Sequence, residues 1–291
     1  MKKAFSTLSI IFLLVQIVSA EGVEPVDSDM NGKREVSTLD HLLWITTTPE
    51  AFAYDYEQTA DIDASPTQYW DDSDEDNDGN LYNDPNDLTD EGNNEGWLPI
   101  GDNINPFTGS YDGQGHVISG LTISRSVYFQ GLFGHTDNAI IENLGLENSS
   151  ISGNSYAGSL AGVISNSTIT NCYNTGNVSG LGETGGLIGR VYISTVNNCH
   201  ASGNVNGSSY VGGLVGQNYE NSLITNSYAT SQVFVSGHRA GGLVGGNIES
   251  TVDSCYALGN VQGWHYIGGI VGDNNMGMIS NSYAAGAVSG S

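Results

Sequence analysis

The chain has 291 residues and a formal net charge of −25, with seven basic residues against thirty-two acidic ones. A field of that sign repels nucleic-acid phosphates and anionic membranes, so neither is an expected partner. The charge is uneven: twenty-two of the thirty-two acids lie before residue 98, and the remainder of the chain is nearly uncharged and rich in Ser, Thr, Asn and Tyr.

Residues 1–20 read as a secretory signal. Lys2 and Lys3 form the basic start, Leu8 to Val18 the apolar stretch, and Val18-Ser19-Ala20 a small-residue cleavage site. The apolar run is too short for a membrane span, and no second candidate follows in the mature chain. The expected location is therefore secreted, extracellular or cell-surface. Residues 21–37 read as a flexible linker. Thr38 to Ile45 is expected to form a short amphipathic helix with Thr38 as N-cap. Such a helix would cover the apolar end of whatever follows.

Residues 38–125 are read as the N-terminal coils of a β-solenoid, interrupted by an acidic insertion at 66–96. Within it, Asp74, Asp76, Asp78 and Asn80 alternate, with Gly79 before Asn80, as in a D-x-D-x-D-G calcium loop. Alternate oxygen ligands converge on one hard cation, and the glycine permits the sharp turn. The twelfth position carries Pro85 instead of a bidentate Glu, leaving Asp84 or Asp87 as substitutes. Ca2+ is thus one reading of this segment; a solvated acidic loop is the other.

From residue 126 to 291 a repeat dominates. Gly-Leu-x-Gly-like signatures end at Gly134, Gly162, Gly189, Gly216, Gly245 and Gly272, spaced 28, 27, 27, 29 and 27 residues apart. A fixed period in this range marks a solenoid. Each unit holds about three apolar runs of three to five residues, too short for helices and without a 3.6-residue period. Val, Ile, Tyr and Thr favour strands, and Gly and Asn suit corners. The expected fold is all-β: a right-handed parallel β-helix with coils of about 27 residues and a short N-terminal capping helix. Chain ends of solenoids need a polar cap. The last residues stop within a repeat unit, which reads as a piece of a longer protein.

Equivalent positions then form ladders along the axis. Leu121, Leu144, Cys172, Cys199, Ser227, Cys255 and Ser282 are expected to face inward, narrowing the later coils. The three cysteines therefore read as small core residues; parallel side-chain vectors disfavour a bridge between Cys172 and Cys199. The neighbouring ladder, Tyr173, His200, Tyr228, Tyr256 and Tyr283, is expected to face outward. Asn143, Asn171, Asn198, Asn226 and Asn281, with Ser254 in the gap, read as a corner ladder of stacked amides.

These Gly-Gly-Leu-Val-Gly and Asn-Ser-Tyr-Ala-x-Gly-x-Val signatures resemble the GLUG repeat of secreted bacterial proteins. The stretches Trp97 to Gly101, Phe107 to His116 and Ile118 to Leu121 resemble the segment that precedes those repeats, and Ala60 to Asp63 fits it as well. The resemblance covers roughly residues 38 to 291 apart from the acidic insertion. It implies a bacterial surface and adhesin-like module.

Enzyme motifs are missing: HExxH, GxSxG and a phosphate-binding Gly-rich loop do not occur. Arg190 and Arg239 are isolated, and the acids of the coils do not stack in ladder register. β-Helices include polysaccharide-active enzymes, so the fold alone decides nothing. Three readings stand: a non-catalytic adhesin-like or interaction module, a rigid spacer for another domain, and a polysaccharide-active enzyme, with the first preferred. The partner expected for the first is a glycan or a surface protein. Its proposed surface is the row Tyr173, Tyr228, Tyr256 and Tyr283, whose rings could stack on sugars or simply on one another.

Overall fold

A computed structural model of the chain describes residues 22–70 and 94–290. The chain winds as a parallel β-solenoid built from four sheets that run along its axis. Strands of successive coils pair in parallel, for example Thr168–Thr170 with Thr195–Asn197 and Tyr173–Asn174 with His200–Ala201. Register steps from His135 to Val163, Arg190, Gln217, Gly246 and Asp273, reproducing the 27- to 29-residue period.

The coils draw their strands from four sheets where three runs per coil were expected. The run Ile-Thr-Asn-Cys-Tyr is not one strand: its Asn takes a left-handed backbone and splits it. Asn143, Asn171, Asn198, Asn226, Ser254 and Asn281 have φ between 47° and 56°. Asn occupies this region at lower cost than most residues. Cys then turns in and Tyr turns out on the far side of the corner. The outward placement of Tyr was expected from alternation along one strand; the corner is its actual cause.

The stacked amides hold the corner. Asn171 donates to Asn143 at 2.9 Å and Asn198 to Asn171 at 2.7 Å. One coil later, Asn226 donates to Asn197 at 2.9 Å, so the amide line sidesteps by one residue.

The Gly-Leu-x-Gly signature is a packing requirement. A Cβ on Gly213 would lie 2.2 Å from the carbonyl oxygen of Gly242 in the next coil. One earlier coil carries a side chain at this rung: Ser159 is buried and donates its hydroxyl to Gly186 O at 2.8 Å. The Leu that follows, at 132, 187, 214 and 243, is fully buried.

The inward ladder is buried from Leu121 to Cys255 as expected. It does more than fill space. Cys172 N–H donates to Cys199 Sγ (3.4 Å), Cys199 N–H to Ser227 Oγ (3.1 Å) and Cys255 N–H to Ser282 Oγ (3.1 Å). Each small side chain therefore accepts the corner N–H of the coil before it, a group that would otherwise be buried and unpaired. A second ladder repeats the device: Ser167, Ser194 and Ser222 N–H groups donate to Ser194, Ser222 and Ser250 Oγ. The three cysteines are free thiols.

The N-terminal end of the core is aromatic. Tyr56, Phe107, Tyr111 and Phe133 pack with centroids 5.0 to 6.4 Å apart. The helix Leu39–Thr47 closes this end, burying Leu42, Leu43 and Ile45, and Thr38 caps it by accepting His41 N–H at 3.2 Å. The stretch 21–37, expected as a linker, is partly strand. Arg34–Val36 pairs with Asp55–Gln58 and buries Val36, because its alternation sends one apolar side chain into this end of the core. Of the insertion expected at 66–96, its first residues belong to the coil: Ser65–Tyr69 is a 3-10 helix that buries Thr67, the Trp70 and Trp97 rings pack 5.9 Å apart, and Gly96 N–H donates to Trp70 O at 2.8 Å.

Candidate functional site

The predicted tyrosines do come together. Tyr173, His200, Tyr228, Tyr256 and Tyr283 form one column with ring centroids 5.0, 4.6, 4.7 and 5.4 Å apart and planes within 12° of parallel. The rings spend their faces on one another. Below Tyr173 the ring lies on Gly145, where a Cβ would sit 2.5 Å from Cζ. Tyr173 donates its hydroxyl to Glu147 at 2.8 Å; burial and this bond push its pKa up to about 12. Burial in the column lowers the pKa of His200. What the column offers outward is ring edges and hydroxyls.

A different surface presents free aromatic faces. The strands Ser150–Ser152, Asn177–Ser179, Val205–Gly212, Val233–Gly241 and Val261–Gly263 align Ser152, Ser179, Asn206, Phe234 and Gln262 in one outward ladder. Beside this ladder, Gly153, Gly180, Gly207 and Gly263 follow in four of the coils, and Leu181 and Trp264 complete a rim. Between ladder and rim lies an axial groove of about 520 Å3. Beneath it a small core of Val205, Val211, Val233, Val235, Ala240 and Val261 fixes the floor. Val235 stands where neighbouring coils have glycine, in the coil with 29-residue spacing.

Trp264 is 60% exposed, Leu181 62% and Phe234 43%. Among the described residues, no charged side chain lines the groove. The exposed amides of Asn206 and Gln262 have no hydrogen-bond partner among the described residues, whereas Ser208 and Ser236 bond to each other at 2.9 Å. Sequence reasoning missed this surface because Trp264 and Phe234 do not repeat. The longer spacing between Gly216 and Gly245 was the available signal.

The two arginines of the coils, isolated in sequence, are neutralised in space. Arg190 pairs with Glu183 at 2.7 Å and lies over Tyr156 and Tyr219. Arg239 pairs with Asp273 at 2.8 Å and lies over Tyr210 and Tyr266. Both are clamped by acid and aromatic neighbours, an arrangement that holds the side chains still.

The proposed calcium ligands Asp74, Asp76, Asp78 and Asn80 lie outside the described residues. Among the described residues, Asp29, Glu35 and Glu57 bring one carboxylate oxygen each within 4.8 Å of the others. Asn31 donates to both Asp29 and Glu57. His116 Nδ1 lies 3.0 Å from Asp61, whose pKa is lowered first by the Val117 N–H and then by His116.

The repeats match a family model, the GLUG motif, at residues 153–179, 180–206, 207–233 and 236–262. The chain thus carries four GLUG repeats, stacked as consecutive coils. Over 151 residues it is 38% identical to halomucin of Haloquadratum walsbyi (strain DSM 16790 / HBSQ001), a match covering 50% of this chain and 1% of halomucin. A crystal structure of a candidate immunoglobulin A1 protease from Bacteroides ovatus superposes with a TM-score of 0.63 at 20% identity, covering 89% of this chain and 76% of that one. At that identity the likeness concerns the fold. Among the described residues, no helix is long and apolar enough to cross a membrane.

Proposed function

We propose that this chain is a non-catalytic interaction module displayed at a cell surface or secreted, which holds its partner along the side of a rigid solenoid. The observation that carries the reading is the axial groove. It is open and, among the described residues, lined by exposed aromatic and amide side chains and by no charged one. Four GLUG repeats and a relative named halomucin favour a surface setting.

The same features argue against catalysis within the coils. Arg190 and Arg239 are already engaged by carboxylates, and among the described residues the groove is lined by no acid or base that could move a proton. A rigid spacer is the second reading, favoured by the self-stacked tyrosine column and the amide ladder, which stiffen the shaft without requiring a ligand.

Surface plasmon resonance separates the two. The intact chain is passed over immobilised mucin, bacterial capsular polysaccharides and matrix proteins. The module reading predicts saturable, specific retention on at least one surface. Uniform absence of retention would leave the spacer.

A further inference from the structure

We propose that the axial groove binds a neutral, extended glycan strand laid parallel to the solenoid axis. Its sugar rings stack on Trp264 and Phe234, and its hydroxyls bond to Asn206 and Gln262. This rests on the interaction-module reading and names the partner class for it.

Length comes first. The groove takes one residue of its floor ladder from each of five coils, Ser152 through Gln262. Four steps at ~4.8 Å give about 19 Å, a run suited to an oligosaccharide and far longer than a monosaccharide needs. Its direction is along the coils, so a polymer can pass through and leave at either end.

Charge comes second. Among the described residues, no acid or base contributes to the lining. An anionic glycan would approach a strongly negative molecule and find no cation in the groove, since both coil arginines are engaged elsewhere. A neutral ligand meets neither obstacle.

Chemistry comes third. Trp264 and Phe234 are exposed, and among the described residues neither ring is packed against another, in contrast to the tyrosine column. An uncovered indole face with uncommitted amides nearby suits a ligand that has apolar C–H faces and a hydroxyl rim. An extended peptide fits less well. It binds sheets by adding to a free strand edge, and the strands under the groove are paired to neighbouring coils on both sides, as Val205–Gly212 is between Asn177–Ser179 and Val233–Gly241. A peptide would find no backbone ladder to extend.

The test uses the whole chain on an array of linear neutral hexasaccharides (gluco-, manno-, xylo- and galacto-series) beside oligogalacturonate and sulfated counterparts. Wild type, Trp264→Ala, Phe234→Ala and Tyr256→Ala are compared after their melting temperatures have been matched. The expected result is retention of at least one neutral series. Affinity should fall about tenfold in Trp264→Ala, the scale of one lost aromatic contact, with a loss also in Phe234→Ala and none in Tyr256→Ala. Retention of anionic glycans alone, no retention of any glycan, or equal binding by wild type and Trp264→Ala would overturn the proposal. If the array is blank while the chain still adheres to mucin or matrix protein, the groove assignment fails and the module reading stands. If it adheres to nothing, both fail.

Discussion

Ser227 shows how much a small residue does inside a narrow coil. It is fully buried, accepts the Cys199 N–H at 3.1 Å and donates to Thr225 O at 2.7 Å. Ser227→Ala removes the acceptor and strands a buried N–H, which should cost about 1–3 kcal/mol in urea denaturation. Ser227→Cys should lose less, because Cys199 already serves as acceptor for Cys172 N–H. His200 gives a second residue-scale test. Burial in the aromatic column lowers its pKa below the ordinary value near 6.5. The unfolded chain then binds more protons than the folded one as pH drops through that value, so stability is complete above about pH 6.5 and lost as pH falls. His41 and His135 are shifted the same way by burial and add to the slope. His200→Tyr, which continues the column's own chemistry, should lose less melting temperature than wild type between about pH 7 and about pH 5. An unchanged slope would remove His200 from the account. The inward ladder was legible as small core residues; its hydrogen-bonding duty was not, because an acceptor's partner lies a full coil away.

At the scale of the element, the corner decides the coil. Asn171 has φ of 55°, donates to Asn143 and accepts from Asn198. Asn171→Gly keeps the backbone at no steric cost and should lose about 1 kcal/mol from the amide bonds. Asn171→Ala should lose about 1–2 kcal/mol more, the left-handed penalty of a β-carbon. If the two variants melt together, the corner is held by the amides alone. Gly213→Ala forces a Cβ to within 2.2 Å of Gly242 O and should exceed both, at about 3 kcal/mol or more. Period, corner and capping helix could all be read from spacing and composition. The fourth strand could not. A two-residue strand such as Tyr173–Asn174 has no periodicity of its own and exists only because the next coil pairs with it.

The whole molecule is a shaft with two dissimilar aromatic faces. One is a column in which tyrosines satisfy one another, and it was visible in sequence because it repeats. The other is a groove whose Phe234 and Trp264 are singular, brought to one surface by the register of adjacent coils, Phe234 pairing with Gln262 two residues before Trp264. Repetition marks what the scaffold needs, and departures from it mark where one coil differs in purpose. The strand Arg34–Val36 is hard to read in sequence for a related reason: its single inward residue, Val36, is too weak a pattern to announce a strand. Hydroxyl-radical footprinting of the chain, free and retained on its surface target, tests the central claim most directly, since it reads Trp, Phe and Tyr oxidation separately. The account predicts protection of Trp264 and Phe234 on binding, with Tyr228 and Tyr256 unchanged. Protection of the tyrosine column with Trp264 still fully oxidised would contradict it.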